Sequence, residues 1–306
     1  MNAGLPEHVA ITSIVDNYLD VFEPSTALVE RATPGKLKKP LLAGHGLAQL
    51  VEIRQGDEVF RLMVDTANIF EPLKHNMEAL ERTPAEMDAL FLSHGHPDHY
   101  GGLLGFLNWR AAPLPVYTHP DVFWPKYLVT PRGKVGPWKL DRDKLEEAGA
   151  QVHANTAVQQ LREGVYLTGE IPRRTDFEGP MSGARYIRDG QDMEDPLLDE
   201  QALVVDLGEK GLVIISTCSH PGIINTVRYA CEVTGNERIY AIVGGLHLAQ
   251  ATEEVLSQTV AGLKDSGAEL VITGHCTGFR PNCRLSRELA STFAINCVGS
   301  RITLER

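Results

Sequence analysis

The sequence has few cysteines and no excess of positive charge, and both shortages limit the kinds of protein that it can encode. Its 5 cysteines are an odd number confined to the C-terminal third, unlike the dense, even set of a small secreted scaffold. We therefore expect a reduced, cytoplasmic protein. The 29 basic residues are outnumbered by 40 acidic ones, which gives a formal net charge of −11. That balance disfavours a nucleic-acid partner, because such proteins neutralise phosphates with lysine and arginine.

Long apolar runs are also missing. No uninterrupted stretch reaches the roughly 18 residues that a membrane helix needs, so we expect no membrane partner. Charged residues interrupt positions 1–24, which therefore lack the pattern of a signal peptide. The length and the 43% hydrophobic share fit either one large α/β domain or two small ones.

Histidine, in contrast, is concentrated in one segment. Residues 93–102 read SHGHPDHYGG and directly follow the apolar run at 89–92. Imidazole is the commonest zinc ligand and also suits iron and manganese, whereas a carboxylate adds affinity for harder cations such as magnesium. His94 and His96 can reach one ion from a turn, while the adjacent Asp98 and His99 project differently and can reach a second. The pattern predicts one or two divalent metal ions at the end of a buried strand, with zinc as the first candidate.

Three later histidines each follow an apolar run that predicts a strand. His220 follows residues 212–216, His247 follows residues 239–243, and His275 follows residues 270–273. Such distant strand ends make sense together if two sheets bring them around the metal loop.

The run His-x-His-x-Asp-His after a hydrophobic strand resembles the signature of the metallo-β-lactamase superfamily. Further stretches in order resemble one branch of it, the 7,8-dihydropterin-6-yl-methyl-4-(β-D-ribofuranosyl)aminobenzene 5'-phosphate synthase-like proteins. These stretches are GHGL at 44–47, LMVDT at 62–66, TGEIPR at 168–173, CSHPGIINT at 218–226, GGLHL at 244–248 and GHCTG at 274–278. The resemblance implies an αββα sandwich of two mixed β-sheets flanked by helices. It also assigns His220 and His275 to later metal-ligand positions.

The residue pattern agrees with that α/β architecture. It predicts strands at 9–15, 46–53, 59–64, 239–243 and 270–273, a hairpin of 202–207 with 212–216, and helices at 223–231 and 253–266. Strand–helix units repeated in this way fit two sheets packed face to face under helices. No linker divides the chain, so we expect a single domain over residues 1–306.

Two segments lack this regularity, and we expect both to be loop insertions that cover the site. Residues 109–138 interleave prolines with aromatic residues, including all 3 tryptophans of the chain. Prolines at that density disfavour a long helix or a central strand. Residues 173–200 mix arginines and acids with little periodicity. Trp124 in the first segment either stacks on a substrate ring or packs its own loop.

Anion binding is predicted for two arginines in the second segment. Arg173 and Arg174 follow Glu170, and guanidinium groups match phosphate or carboxylate geometry. The alternative for both is a solvated loop with local ion pairs. The turn around Thr277 can also present backbone N–H groups to a phosphate. We thus expect Glu170, Arg173, Arg174, Trp124 and Thr277 to bind a small, anionic substrate.

One departure from the family pattern concerns metal number. Most relatives in the wider superfamily end the fourth-motif strand in Gly-Asp, whose carboxylate bridges two metals, whereas the corresponding strand here leads into Thr217-Cys218-Ser219-His220. Cys218 is either a bridging thiolate or a buried packing residue. His247, behind two glycines, is interpreted as a catalytic or supporting residue rather than a ligand.

Three functions remain open at this point. The favoured one is a hydrolase that acts on a phosphate-bearing or aromatic substrate through a metal-activated water, with Asp98 as the candidate base. The resemblance implies a second, a transferase that joins a dihydropterin-methyl group to an aminobenzene ring and releases diphosphate. A non-catalytic ligand sensor is the third, and the intact ligand set argues against it.

The purified protein should carry a first-row divalent metal, because His94, His96, His220 and His275 offer a nitrogen-rich site. Elemental analysis of gently purified protein checks this. Less than about half an equivalent per chain, after reconstitution with each candidate ion, would contradict the prediction.

Overall fold

Both faces of the main strands are apolar, so two β-sheets stack on each other and helices cover their outer faces. The structure, a computed structural model, describes residues 4–306. The strands are β1 (His8–Val15), β2 (Val29–Glu30), β3 (Ala48–Gln55), β4 (Glu58–Val64), β5 (Ala89–Phe91), β6 (Leu114–Thr118), β7 (Lys126–Thr130), β8 (Gly133–Trp138), β9 (Ala150–Ala154), β10 (Gln159–Arg162), β11 (Val165–Leu167), β12 (Ala184–Arg188), β13 (Gln191–Glu194), β14 (Leu203–Asp206), β15 (Leu212–Ser216), β16 (Ile239–Gly244), β17 (Leu270–Thr273), β18 (Phe293–Ile295) and β19 (Arg301–Glu305). The helices are α1 (Phe70–Ala79), α2 (Pro97–Tyr100), α3 (Leu103–Arg110), α4 (Arg142–Glu147), α5 (Ile223–Thr234), α6 (Glu253–Asp265) and α7 (Phe279–Leu289).

The two large sheets are both mixed. The first has eight strands in the order β2-β19-β1-β3-β4-β5-β6-β9, and the second has seven in the order β10-β11-β14-β15-β16-β17-β18. Strands β4, β5, β6 and β9 run parallel to one another, as do β15 to β18. Parallel neighbours end at the same edge of their sheet, so the turns that follow them lie side by side.

Successive residues of a strand face different layers. Leu62 of β4 and Ile215 of β15 pack into the layer between the sheets. Their neighbours face outward, Met63 toward α1 and α3 and Ile214 toward α5 and α6. This alternation with apolar residues on both faces is typical of sheets covered on each side. It gives the αββα sandwich of two mixed sheets, as predicted.

The segment 109–138 differs from the expected irregular cover, because it contains an internal strand of the first sheet. Strand β6 lies between β5 and β9. Pro115 is tolerated there because β6 pairs with β5 only at Val116 and Tyr117. The expectation that the prolines exclude a central strand here is wrong, because Pro115 lies outside the part of β6 that pairs with β5 and removes no hydrogen bond there.

Parts of both segments form a small sheet rather than loops, whereas residues 173–183 and 195–200 are irregular as expected. Strands β7 and β8 make one hairpin, β12 and β13 make another, and β12 pairs with β7 to give the four-stranded order β13-β12-β7-β8. We call this the cover sheet. Its outer strands β8 and β13 are almost entirely exposed, so they carry no apolar alternation that a sequence pattern could reveal.

A buried ion cluster fastens the cover sheet to the sandwich. Lys126 of β7 is only 2% exposed. Its Nζ lies 2.6 Å from Asp195 Oδ2 and 3.2 Å from Asp199 Oδ2. Asp199 Oδ2 also accepts the Gly95 N–H at 2.8 Å. The cluster therefore links the cover sheet directly to the histidine-rich turn after β5.

No helix within residues 4–306 is long and apolar enough to cross a membrane.

Replacing Lys126 with alanine should lower the free energy of unfolding by about 3–5 kcal/mol, because it leaves two buried carboxylates without their cation. The midpoint of urea unfolding measures the effect. Lys139→Ala, at an exposed position just after β8, is the matched control. Equal midpoints for the two variants would show that the cluster does not stabilise the fold.

Candidate metal centre

The predicted ligands collect where parallel strands end. His94 and His96 lie in the turn after β5, and Asp98 and His99 lie in the short helix α2 that follows it. His220 follows β15, and His275 follows β17. Because the two sheets pack face to face with these ends at one edge, residues far apart in sequence meet there.

Three imidazoles form a first ligand group. His94 Nε2 lies 3.0 Å from His96 Nδ1, and His220 Nε2 lies 3.2 Å from the same His96 atom. All three side chains are buried. Nitrogens that are each about 2.0–2.1 Å from one tetrahedral zinc ion are separated by about 3.4 Å, so this spacing fits a shared cation.

A second ligand group lies beside the first. His99 Nε2 is 3.2 Å from His275 Nε2. Asp98 Oδ2 is 3.4 Å from His275 Nε2 and 3.7 Å from His99 Nε2. This group combines two imidazoles with a carboxylate, the mixture expected for a first-row divalent ion.

Cys218 is shared by both groups. Its Sγ lies 3.1 Å from His99 Nε2, and it is within 4.8 Å of the ligand atoms of His94 and His220 on one side and of His99 and His275 on the other. A thiolate in that position can contact two ions.

The outward-facing ring nitrogens have fixed partners. Asp65 Oδ2 lies 2.6 Å from His99 Nδ1 and accepts the Ser93 hydroxyl at 2.7 Å. The Ser93 hydroxyl is 2.9 Å from His94 Nδ1, and Asn17 Oδ1 is 3.2 Å from His275 Nδ1. Holding the outer nitrogen turns the inner one toward the site, as in known metal centres.

The protonation states also fit a cation. Burial lowers the pKa of His94 and His220 well below the usual range and that of His96 to about 4. These rings are neutral at pH 7 and offer a lone pair. At His99, burial also opposes protonation, but the carboxylates of Asp98 and Asp65 outweigh it and raise its pKa to about 9. A divalent cation would take the place of that proton. The donor set therefore fits one or two first-row metals.

Glu200, which sequence reasoning missed, shapes the turn that carries two candidate ligands. Its buried carboxylate accepts the N–H groups of Cys218 at 3.0 Å, Ser219 at 2.5 Å and His220 at 2.5 Å. Burial raises the pKa of Glu200 to about 7. Nothing in the charged segment 173–200 distinguishes this acid from its neighbours, because its partners are backbone groups of a different segment.

Arg173 lies at the site, whereas Arg174 does not follow the expectation. Arg173 Nη2 donates to the His220 carbonyl at 3.3 Å, and its Nε is buried with no hydrogen-bond partner among residues 4–306. Arg174 instead pairs with the exposed Glu232 of α5 at 2.5 Å. Successive side chains of an extended segment point in opposite directions, which separates the two arginines.

The other expected substrate residues have partners of their own. Thr277 is completely buried, and its hydroxyl accepts the Leu246 N–H at 3.0 Å. This contact holds the turn, and the role of Thr277 in substrate binding stays a prediction. Arg188 Cζ of the cover sheet lies 5.8 Å from the centroid of the Trp124 ring. Glu170 Oε1 lies 3.3 Å from His119 Nε2.

His247 lies against the first ligand group. Its ring centroid is 4.3 Å from that of His220. Its Nδ1 is buried and has no hydrogen-bond partner within the described part of the chain. A ligand atom of His247 also lies within 4.8 Å of Cys218 and Cys276.

Trp138, which the sequence did not single out from the other tryptophans, lies beside this group. Its ring centroid is 6.2 Å from that of His96. Trp138 ends β8, so the cover sheet extends to the metal ligands.

Comparison with known proteins agrees with this geometry. The model of the Metallo-beta-lactamase superfamily matches residues 56–221. The 7,8-dihydropterin-6-methyl-4-(beta-D-ribofuranosyl)-aminobenzene-5'-phosphate synthase of Methanocaldococcus jannaschii is 30% identical over 298 residues, which is 96% of each chain. An uncharacterized protein of the same organism is 27% identical over 264 residues, 86% of this chain and 95% of its own.

A solved structure supports the fold. A metal-dependent hydrolase of the beta-lactamase superfamily superposes with a TM-score of 0.76 at 23% identity, covering 97% of this chain and 99% of its own.

Replacing Cys218 with serine should lower metal stoichiometry or affinity, because serine removes the thiolate shared by the two ligand groups. Metal content after dialysis, with circular dichroism to verify folding, measures the effect. Cys231→Ser, on α5 away from the ligands, should bind metal like the parent. Equal metal content in both variants would show that Cys218 only packs.

Proposed function

The chain belongs to the metallo-beta-lactamase superfamily, in the branch of the dihydropterin-methyl aminobenzene ribofuranosyl phosphate synthase, and from that premise we propose that it is a metal-dependent hydrolase. Its substrate is small, anionic, and phosphate-bearing or aromatic. The carrying observation is the pair of adjacent ligand groups that share Cys218 at one edge of the sandwich. Superfamily members are generally divalent-metal enzymes.

His94, His96 and His220 would hold one ion, and Asp98, His99 and His275 a second. A divalent ion there supplies Lewis-acid chemistry, lowering the pKa of water and polarising the oxygen of the bond under attack.

The polypeptide contributes proton transfer through Asp98 and His247. The Asp98 side chain is 20% exposed. Burial raises its pKa, but His99 and His275 outweigh this and hold the pKa well below the usual range. Asp98 is therefore ionised at neutral pH and can take a proton from an attacking water. His247 Nδ1 has no hydrogen-bond partner among residues 4–306, so it can deliver a proton to the leaving group.

Arg173 binds the anionic part of the substrate. Its Nη2 donates to the His220 carbonyl, and its Nε has no hydrogen-bond partner in the described part of the chain. The positive charge of Arg173 beside the metal ligands favours a phosphate over a neutral substrate. A guanidinium group can donate two hydrogen bonds to a pair of phosphate oxygens.

A transferase is the second candidate, and the carrying observation is the 30% identity with a synthase over 96% of both chains. Such an enzyme joins a dihydropterin-methyl group to an aminobenzene ring and releases diphosphate. A third candidate, a non-catalytic ligand sensor, is disfavoured because both ligand groups are complete.

An activity screen in ¹⁸O-labelled water separates these functions. Metal-replete protein is offered aryl phosphodiesters, phosphomonoesters and lactones, and then paired aromatic acceptors with diphosphate esters. Hydrolysis puts ¹⁸O into a product detected by mass spectrometry. Transfer gives a joined product without the label. Binding without turnover of any compound supports the sensor.

Arg173→Ala should lower kcat/KM for anionic substrates by about ten- to a hundredfold, the loss expected when a charged hydrogen bond of about 1.5–3 kcal/mol disappears. Metal content should not change. Arg174→Ala, which removes only the surface pair with Glu232, is the control and should match the parent. If both variants are alike, the anion binds elsewhere.

A further inference from the structure

We propose that Trp138 is a specificity-determining residue whose indole N–H donates a hydrogen bond to a phosphate or phosphoester oxygen of a ligand at the His94–His96–His220 group. This inference rests on the proposed function only in its choice of site. It adds a substrate-contacting residue on the cover sheet and a chemical class of group that this residue selects.

The first observation is an unmatched donor. Trp138 Nε1 is buried and has no hydrogen-bond partner among residues 4–306. A buried N–H without an acceptor costs about 1–3 kcal/mol, and native proteins retain few of them. A donor of this kind next to metal ligands points to an acceptor on a bound molecule.

The second observation is that the chain fixes the direction of the ring. Trp138 meets His96 edge-on, with ring planes at 75°. Gly136 makes room for the indole, because a Cβ at that position would lie 2.6 Å from Trp138 Cε3. Gly136 also has a φ of 104°, a conformation that favours glycine. The ring is therefore seated by its own strand.

The third observation is the connection between Trp138 and the metal turn. In the cover sheet Trp138 pairs with Lys126. Lys126 is held by Asp199, which in turn accepts the N–H of Gly95 between His94 and His96. The indole is thus connected to the ligands by one strand pair, one ion pair and one hydrogen bond, which together set its position relative to them.

The chemistry of the donors defines the ligand class. An indole N–H donates and cannot accept. Arg173 Nε is a second buried donor without a partner among the described residues, and Arg173 Nη2 donates to the carbonyl of His220 in the same group. Two unmatched donors flanking one set of ligands suit an oxygen-rich anion and disfavour a cation or an amine.

Fluorescence can isolate this residue, because the chain has only 3 tryptophans. In the Trp109→Phe/Trp124→Phe protein, Trp138 is the single reporter. Inorganic phosphate and diphosphate are titrated into this metal-replete protein. We expect a saturable change in Trp138 emission.

Calorimetry on the full-length protein gives the energetic test. Trp138→Phe keeps a ring and removes the donor, and it should weaken phosphate binding by about tenfold or more with metal content unchanged. Trp109→Phe, whose ring packs against Phe70 of α1, should bind like the parent.

Each outcome is decisive. An emission change together with weaker binding by Trp138→Phe supports the proposal, even if no phosphoester is hydrolysed, in which case the proposed hydrolase alone fails. Should Trp138→Phe lose metal, the single-tryptophan titration decides. No phosphate binding, a silent Trp138, or parent-like binding by a metal-replete Trp138→Phe would overturn it.

Discussion

One buried carboxylate, that of Asp65, organises both ligand groups. It accepts the backbone N–H and the hydroxyl of Ser93 and lies 2.6 Å from the ring of His99. Through Ser93 it reaches His94 in the first group, and through His99 it reaches the second. A charge this deeply buried is stable only with strong donors around it. The turn after β5 must therefore take the one conformation that supplies them, and that conformation points its other histidines at a common centre.

In the second half of the chain, the buried carboxylate of Glu200 has a role similar to that of Asp65. Glu200 gathers three backbone N–H groups of the turn at 218–220, as Asp65 gathers groups of the turn after β5. One acid belongs to the first sheet and the other leads into the second. Since neither turn carries a complete ligand set, the metal centre exists only when the sheets have packed. Assembly of the site accordingly requires packing of the core layer that contains Leu62 and Ile215.

Features that depend on short, local sequence patterns could be predicted, whereas features that depend on partners far along the chain could not. The strands at 239–243 and 270–273 and the turn with His94 and His96 are written in short, local patterns, and the structure has them within a residue or two. The candidate ligands His220 and His275 could be found because each follows an apolar strand. Glu200 and Trp138 could not, because their roles depend on partners far along the chain. The cover sheet was missed for a related reason: its exposed strands have no buried face to mark them.

The position of β19 has a consequence for the order in which the protein can be completed during synthesis. This strand follows every candidate ligand along the chain, yet it pairs with β1 in the first sheet, with Ile302 opposite Ile11. Asp16, directly after β1, binds the N–H of His275. While the polypeptide is still leaving the ribosome, the earliest strand has neither of these late partners. The second ligand group, which contains His275, is thus expected to reach its final geometry only after β19 has been synthesised.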